Sequence, residues 1–321
     1  MRALNAFLLV LLLFAASGCQ EKREGETPSR FEGRFDPTDP GDDEEDPDDD
    51  EEQPDPDYLV SGDVLVASQA SGQVLVFGAD GLYKKVAYTV SVPTDRIVGL
   101  AWNATHSAAM VLVDGNDRID AIAKTDGAVA TVLQTAELAG NLRGLTQVAS
   151  GDVLILETSI VERFRPDGSR LAFNWPKSLQ STPRSIAPLA DGGFVLCSSG
   201  SKVVRTYNDD GSLRASASSG VTGTQDAYGC AQLSDGRIVT AWSGMQDTVQ
   251  IRSADLMQNL AEYRDPIGLS SPSCLHILED DSILVCDRLT NSLVELGPTG
   301  AYRRTWTDAG LGTPVAIVGV P

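Results

Sequence analysis

From residue 79 to residue 300 the chain places a turn signal at near-constant intervals. "ADG" ends at Gly81, "TDG" at Gly127, "PDG" at Gly168, "DDG" at Gly211, "SAD" at Asp255 and "PTG" at Gly300, a spacing of 46, 41, 43, 44 and 45 residues. Asp supplies a side-chain acceptor and Gly a left-handed backbone position, which together make a tight reversal. A second series falls half a period away, with "SGD" at Asp63 and Asp152, "ADGG" at Gly192, "SDG" at Gly236 and "EDD" at Asp281. Between the turns lie short β-branched runs such as "DVLVAS", "QVLVF", "DVLILE", "FVLC", "RIVTAW" and "SILVC". No segment of useful length carries a helical period, so a stack of helices is excluded. Four short strands in about 44 residues are the content of one β-propeller blade.

The register can be tested by aligning the first strand of each repeat: "RIVGLAW", "NLRGLTQ", "TPRSIAP", "AYGCAQ", "SPSCLHI" and, at the C-terminus, "TPVAIVG". One column is always small, with Gly99, Gly144, Ser185, Gly229, Cys274 and Ala316; the next is apolar, with Leu100, Leu145, Ile186, Cys230, Leu275 and Ile317. Innermost strands converge on the propeller axis, where crowding demands small residues. The repeat that starts near Tyr58 lacks an inner strand of its own, and the C-terminal segment supplies one. The expected fold is therefore all-β: a six-bladed β-propeller over residues 58–321, closed by a C-terminal strand that completes the first blade. Closure removes exposed sheet edges.

With the blades in register, "LVCDRLTNSLVELGPTG" and "LVDGNDRIDAIAKTDG" resemble NHL-type repeats, part of the six-bladed group that includes TolB-like and gluconolactonase-like folds. The resemblance covers residues 58–321 and implies a fold more than a function, because that fold hosts enzymes, scaffolds and receptors.

The N-terminus reads as a processing signal. Arg2 precedes an eleven-residue apolar run, "AFLLVLLLFAA", too short for the roughly 20 residues that span a bilayer. "ASGC", from Ala16 to Cys19, then resembles the bacterial lipoprotein signal, with Ala16 where Leu is usual. The resemblance implies a signal peptide over residues 1–18, removed before Cys19, and a diacylglyceryl plus N-acyl group on Cys19. Gln20 in place of Asp points to the outer membrane, on its periplasmic or its outer side, and several acyl chains make the anchorage stable. Residues 36–57, "DPTDPGDDEEDPDDDEEQPDPD", hold fourteen Asp or Glu in twenty-two residues. Self-repulsion and Pro predict a disordered acidic tether over residues 19–57. Residues 20–57 reach at most roughly 125–135 Å at 3.3–3.6 Å per residue. Its core, "DDEEDPDDDEEQ", lacks the turn-forming Gly and in-register closing Glu of a calcium loop, so no formed ion site is expected.

The formal charge is −20, of which the tether carries −14, leaving residues 58–321 only mildly acidic. No Lys/Arg-rich run points to nucleic acid. Column equivalence places Val98, Arg143, Arg184, Tyr228, Ser273 and Val315 at the starts of the inner strands, on the face that resembling propellers use as a ligand mouth. Ser68, Asp114, Glu157, Ser198, Trp242 and Asp287 end the second strands on that face, and Trp175 lies in a connection nearby. Arg143, Arg184, Tyr228, Trp242, Trp175, Asp114, Glu157 and Asp287 are the candidate binding residues. They suit an anionic or sugar-like ligand through bidentate Arg contacts and aromatic stacking. The competing reading is structural, with Arg143 and Arg184 spent on Asp114 and Glu157 as ties between blades.

No catalytic residues, metal ligands or cofactors emerge. His106 and His276 are the only histidines and fall on different blades, too few for the multi-His zinc site of the family's lyases. No inner-strand start carries the Glu or Asn that gluconolactonase-like hydrolases use for their metal. An exported chain with four further cysteines suggests disulfides. If residue 278 pairs with 282, Cys274 and Cys286 are directly opposed; Cys197 facing blade 5 and Cys230 facing blade 4 form the other consistent pair. Four free buried thiols are the alternative. The reading preferred is a monomeric, lipid-anchored binding or scaffold module of the cell envelope, whose partner is another envelope protein, a peptide or a glycan. The alternatives are a divalent-metal hydrolase with a rearranged site and a purely structural envelope protein. Changing Cys19 to Ser should release the protein from membranes without unfolding the propeller. Fractionation after a salt wash checks this, and a Cys19→Ser protein still held by membranes removes the lipoprotein reading.

Overall fold

The computed structural model describes residues 57–134, 141–171, 182–220, 225–264 and 269–321, and none of these residues is helical. The strands form six antiparallel sheets. Blade 1 takes β1 (Val64–Ser68), β2 (Gln73–Phe77) and β3 (Tyr83–Thr89); blade 2 takes β4 (Arg96–Asn103), β5 (Ala108–Asp114), β6 (Arg118–Ala123) and β7 (Val129–Gln134). Blade 3 has β8 (Gly144–Gln147), β9 (Val153–Leu156) and β10 (Val161–Phe164). Among the described residues its fourth position holds a single bridge, Phe164 to Arg170. Blade 4 follows with β11 (Pro183–Pro188), β12 (Phe194–Ser198), β13 (Val203–Tyr207) and β14 (Leu213–Ala217), then blade 5 with β15 (Gln225–Gln232), β16 (Ile238–Gly244), β17 (Thr248–Arg252) and β18 (Asn259–Tyr263). Blade 6 has β19 (Pro272–Ile277), β20 (Ile283–Asp287), β21 (Ser292–Leu296) and β22 (Tyr302–Thr307), and the last strand is β23 (Pro314–Gly319).

β23 pairs with β1, from Val64 opposite Gly319 to Ala67 opposite Ala316. The C-terminal strand is thus the inner strand of blade 1, as the repeat count requires. The six inner strands, β4, β8, β11, β15, β19 and β23, each abut the next around the axis. The "DG" turns join third to fourth strands, and Gly81, Gly127, Gly168, Gly211 and Gly300 all have positive φ. In blade 5 the left-handed position is taken by Leu256, at φ 63°, which is why "SAD" breaks the Gly pattern. Four turns of the second series, at Asp152, Gly192, Gly236 and Asp281, join inner to second strands, and the one at Asp63 leads the chain into β1. Both series lie on the face opposite the one where inner strands begin.

Six apolar clusters fill the molecule, one at each seam between blades. The period of two along a strand sorts side chains between seams. Leu65 and Ala67 face blade 2, whereas Val64 and Val66 face blade 6. The middle strands are buried on both faces and read as continuous apolar runs, while the outer β3, β7, β14, β18 and β22 are largely exposed. Polar ties reinforce the seams. Arg118 bridges Asp95 at 2.8 Å and Asp120 at 2.9 Å, and Tyr88 of blade 1 donates to Asp120 of blade 2 at 2.6 Å. Arg163 joins Asp152 of blade 3 to Asp209 of blade 4.

The small column is not equally crowded. A Cβ on Gly229 would lie 2.9 Å from Ser273 O and 3.2 Å from the Cys274 carbonyl carbon, both on the neighbouring inner strand. On Gly99 it would meet the Leu145 amide at 3.0 Å, whereas on Gly144 its nearest neighbour is a side-chain methyl at 3.9 Å. Gly229→Ala must push two backbones apart and should cost about 1–3 kcal/mol, as overpacking does. Gly144→Ala should be neutral or stabilise by up to about 1 kcal/mol by restricting the unfolded chain. Urea unfolding of the two variants checks the contrast, and equal effects contradict it.

Candidate binding site at the channel mouth

The residues expected at the mouth share one backbone device. Register shifts fall between Ile97 and Gly99, Pro183 and Ser185, Ala227 and Gly229, and Pro272 and Leu275, and β23 shows the same break opposite Ala67 and Ser68. The extra residues are Val98, Arg184, Tyr228, Ser273 with Cys274, and Val315. In blade 3 the Arg143 amide donates to Leu156 O at 2.8 Å, on the residue that also faces Gly144. A β-bulge breaks the strict alternation of a strand and re-aims a side chain. Each inner strand uses one as it enters the ring.

The channel inside the inner strands has a volume of about 420 Å³ and is lined at its upper end by Val98, Arg143, Arg184, Ser273 and Val315. Arg184 donates from Nε to Ser199 Oγ at 2.9 Å, and its guanidinium lies 5.2 Å from the centre of the Tyr228 ring, within cation–π range. The Arg143 Nε is buried without a hydrogen-bond partner. Among the described residues neither arginine forms an ion pair, so the blade-tying role expected of Asp114 and Glu157 is not what engages them. Arg288, on the turn after β20, was not foreseen; its Nε is likewise buried and unpartnered. Only its place just after the second-strand column pointed to it.

The other candidates separate. Trp242 is fully buried in the seam between blades 4 and 5, and its Nε1 donates to Thr240 Oγ1 at 2.8 Å. It shares the parity of Ile238 and Thr240, so it faces blade 4 and offers no stacking surface. Asp287 is 1 % exposed and accepts the Ser270 amide at 2.7 Å. Burial pushes its carboxyl above the usual range, against the amides that hold it down; it fastens loops and does not face a ligand. Glu157 is buried, and Asp114 is half-buried beside Asp117, whose carboxyl is raised by burial and then by the Asp114 charge. Trp175 and Cys19 lie outside the described residues.

Cys274 and Cys286 form a disulfide with Cα atoms 5.0 Å apart, and Leu278 N donates to Ser282 O at 2.8 Å beyond them, as the expected register requires. Cys197 and Cys230 face one another across the blade 4–5 seam as expected but are unbonded thiols. Cys197 Sγ instead donates to Gly229 O at 3.2 Å and Cys230 Sγ to Ser185 O at 3.7 Å. Burial, with the adjacent Cys230 adding to it, pushes the Cys197 thiol well up. His276 lines the channel, and burial lowers its pKa to about 4, so it is neutral at physiological pH. His106 lies in the turn after β4 on the far face. Among the described residues no three His, Cys, Asp or Glu side chains converge as metal ligands do.

No protein-family model matches the chain, and no curated protein resembles it in sequence. Solved structures do resemble it in shape. A chain of the nidogen/laminin complex matches with a TM-score of 0.65 and 14% identity, over 79% of this chain and 97% of that one. A protein of unknown function from Bacteroides caccae matches at 0.62 and 14%, over 80% and 98%. Virginiamycin B lyase from Staphylococcus aureus matches at 0.59 and 13%, over 79% and 83%. At such identities the likeness is one of fold. The chain is a six-bladed β-propeller.

The burial of Trp242 has a measurable consequence. Trp242→Ala should destabilise the domain by about 3–5 kcal/mol, the range for emptying a large aromatic site. Tyr228→Ala, at the half-open mouth, should cost far less. Thermal and urea unfolding of the two variants check this, and a mild Trp242→Ala variant contradicts the burial.

Proposed function

We propose that this propeller is a binding module whose site is the channel mouth and whose ligand is anionic. The observation that carries the reading is that Arg143 and Arg184 stand at one mouth without a carboxylate partner among the described residues. A guanidinium held at the rim of a low-dielectric channel without a counter-charge is a standing site for a carboxylate or phosphate. The Tyr228 ring fixes one of the two, which lowers the ordering cost of binding. The fold neighbours include a chain from a protein–protein complex and a lyase.

The lipidated Cys19 and acidic tether place the module in the cell envelope on this reading. The first described residues support a presenting role. Tyr58 and Leu59 donate their amides to Thr125 O and Lys124 O at 3.0 and 2.8 Å, on the turn between β6 and β7. Residues 58 and 59 therefore join the ring on the face opposite the mouth.

The test is titration of the full chain with citrate, a compact polycarboxylate, by calorimetry. The Arg143→Met/Arg184→Met double variant should lose at least tenfold in affinity, since each charge-assisted contact contributes about 1.5–3 kcal/mol. Its stability should stay within about 1 kcal/mol, as for charges that hold no ion pair among the described residues. Clear destabilisation with unchanged citrate affinity removes the mouth as the site.

A further inference from the structure

We propose that the anion taken at the mouth is a carboxylate on an apolar-flanked segment of a partner protein, which lies across the mouth-side hairpins of blades 5 and 6. This rests on the mouth reading above and adds the kind of partner.

Two of the most exposed apolar side chains among the described residues sit on neighbouring hairpins of that face. Met245, on the turn between β16 and β17, is 79% exposed, and Leu289, between β20 and β21, is 76% exposed. Neither hairpin is loose. Asp247 accepts the Gly244 amide at 2.9 Å on its own hairpin and the Ser271 amide at 3.0 Å from the entry to blade 6. Arg288 N and Leu289 N donate to Ser271 O and Ser270 O, each at 3.3 Å, and Asp287 accepts the Ser270 amide. The Ser270–Ser271 segment is thus a strut that fastens both hairpins, and it presents Met245 and Leu289 as fixed anchors. Rigid apolar anchors at a rim are what a docking partner uses, because their ordering cost is already met.

The charge at this rim selects the partner. Arg143, Arg184 and Arg288 have no carboxylate counterpart among the described residues, and the Nε of Arg143 and of Arg288 is buried without an acceptor. The carboxylates of Asp247 and Asp287 are turned into backbone amides instead. With Asp247 and Asp287 engaged, the three arginines outnumber the half-buried Asp226 at the edge of blades 5 and 6, and the balance there favours an anionic visitor. A channel of about 420 Å³ takes side chains but not a folded domain, so the fitting partner is an acidic segment with apolar neighbours that reaches inward from above.

The experiment uses the full chain and four end-capped twelve-residue peptides. One combines Leu with Asp and Glu; the others replace the acids by Asn and Gln, the acids by Lys, or the Leu by Ser. The first should bind, and each of the other three at least tenfold more weakly. Met245→Ser/Leu289→Ser should weaken the first peptide about tenfold or more, as should Arg288→Gln, and Arg143→Met/Arg184→Met should abolish binding. Met257→Ser alters an equally exposed methionine, 79%, on the opposite face and should leave affinity within twofold. The proposal is overturned if the Lys or Asn/Gln peptide binds as well as the acidic one. It is also overturned if the blade 5–6 variants change affinity no more than Met257→Ser, or if citrate binds and no peptide does. In those cases citrate titration of the same proteins still reports on the mouth: retained, arginine-dependent citrate binding keeps the mouth reading while the partner inference falls. Failure of citrate to bind the unaltered chain sinks the mouth reading itself.

Discussion

Six strands meet at one axis, and the space left between their backbones governs much else in this molecule. Where Gly99 and Gly229 stand, a single added carbon would touch the neighbouring strand's main chain at about 3 Å. Strands brought this close cannot stay flat and in phase as they enter the ring. Each carries an extra residue at or just before its start, and the extra residue is turned out of the pleat. The crowding at the axis and the display of Arg143, Arg184 and Tyr228 at the mouth are therefore two results of one geometric demand.

The two faces of the disc differ for the same reason. On one face the blades close with short turns, most of them containing Asp or Gly, stitched to the next blade by contacts such as Ser234 to Asp281 at 2.9 Å and Ala190 to Gln232 at 2.7 Å. The other face carries the starts of the inner strands, with Arg143 and Arg184 among them. Residues displayed on a fixed scaffold can change without loss of the fold. What a propeller binds is decided by such residues and not by the fold itself.

Many buried polar groups in the seams are paired. Tyr88, Arg118, Asp95 and Asp120 form one such group across blades 1 and 2, and Trp306 and Arg304 meet on Glu295 within blade 6. The thiols of Cys197 and Cys230 each meet a carbonyl of the opposite strand. Arg143 and Arg184 stand at the mouth without an ion-pair partner among the described residues, which is why they carry the functional argument.

The amino-acid sequence by itself determined the number of blades, the closure by the last strand, the faces on which turns fall and the column from which the mouth is built. These follow from spacing and from period-two patterning, which are properties of a chain read along its length. It also settled that Cys274 opposes Cys286, because a two-strand register depends only on a local turn. Tertiary structure alone decided which mouth residues are available. Trp242 and Asp287 occupy the same column as Asp114, yet packing between blades roofs the first two over, and no local rule states how much a neighbouring blade covers. Whether an arginine has a counter-charge is likewise a matter of which blade's side chains reach it. Arg143, Arg184 and Arg288 acquire their meaning only when the ring closes, because an absent partner is a fact about three-dimensional neighbours and leaves no mark on the chain.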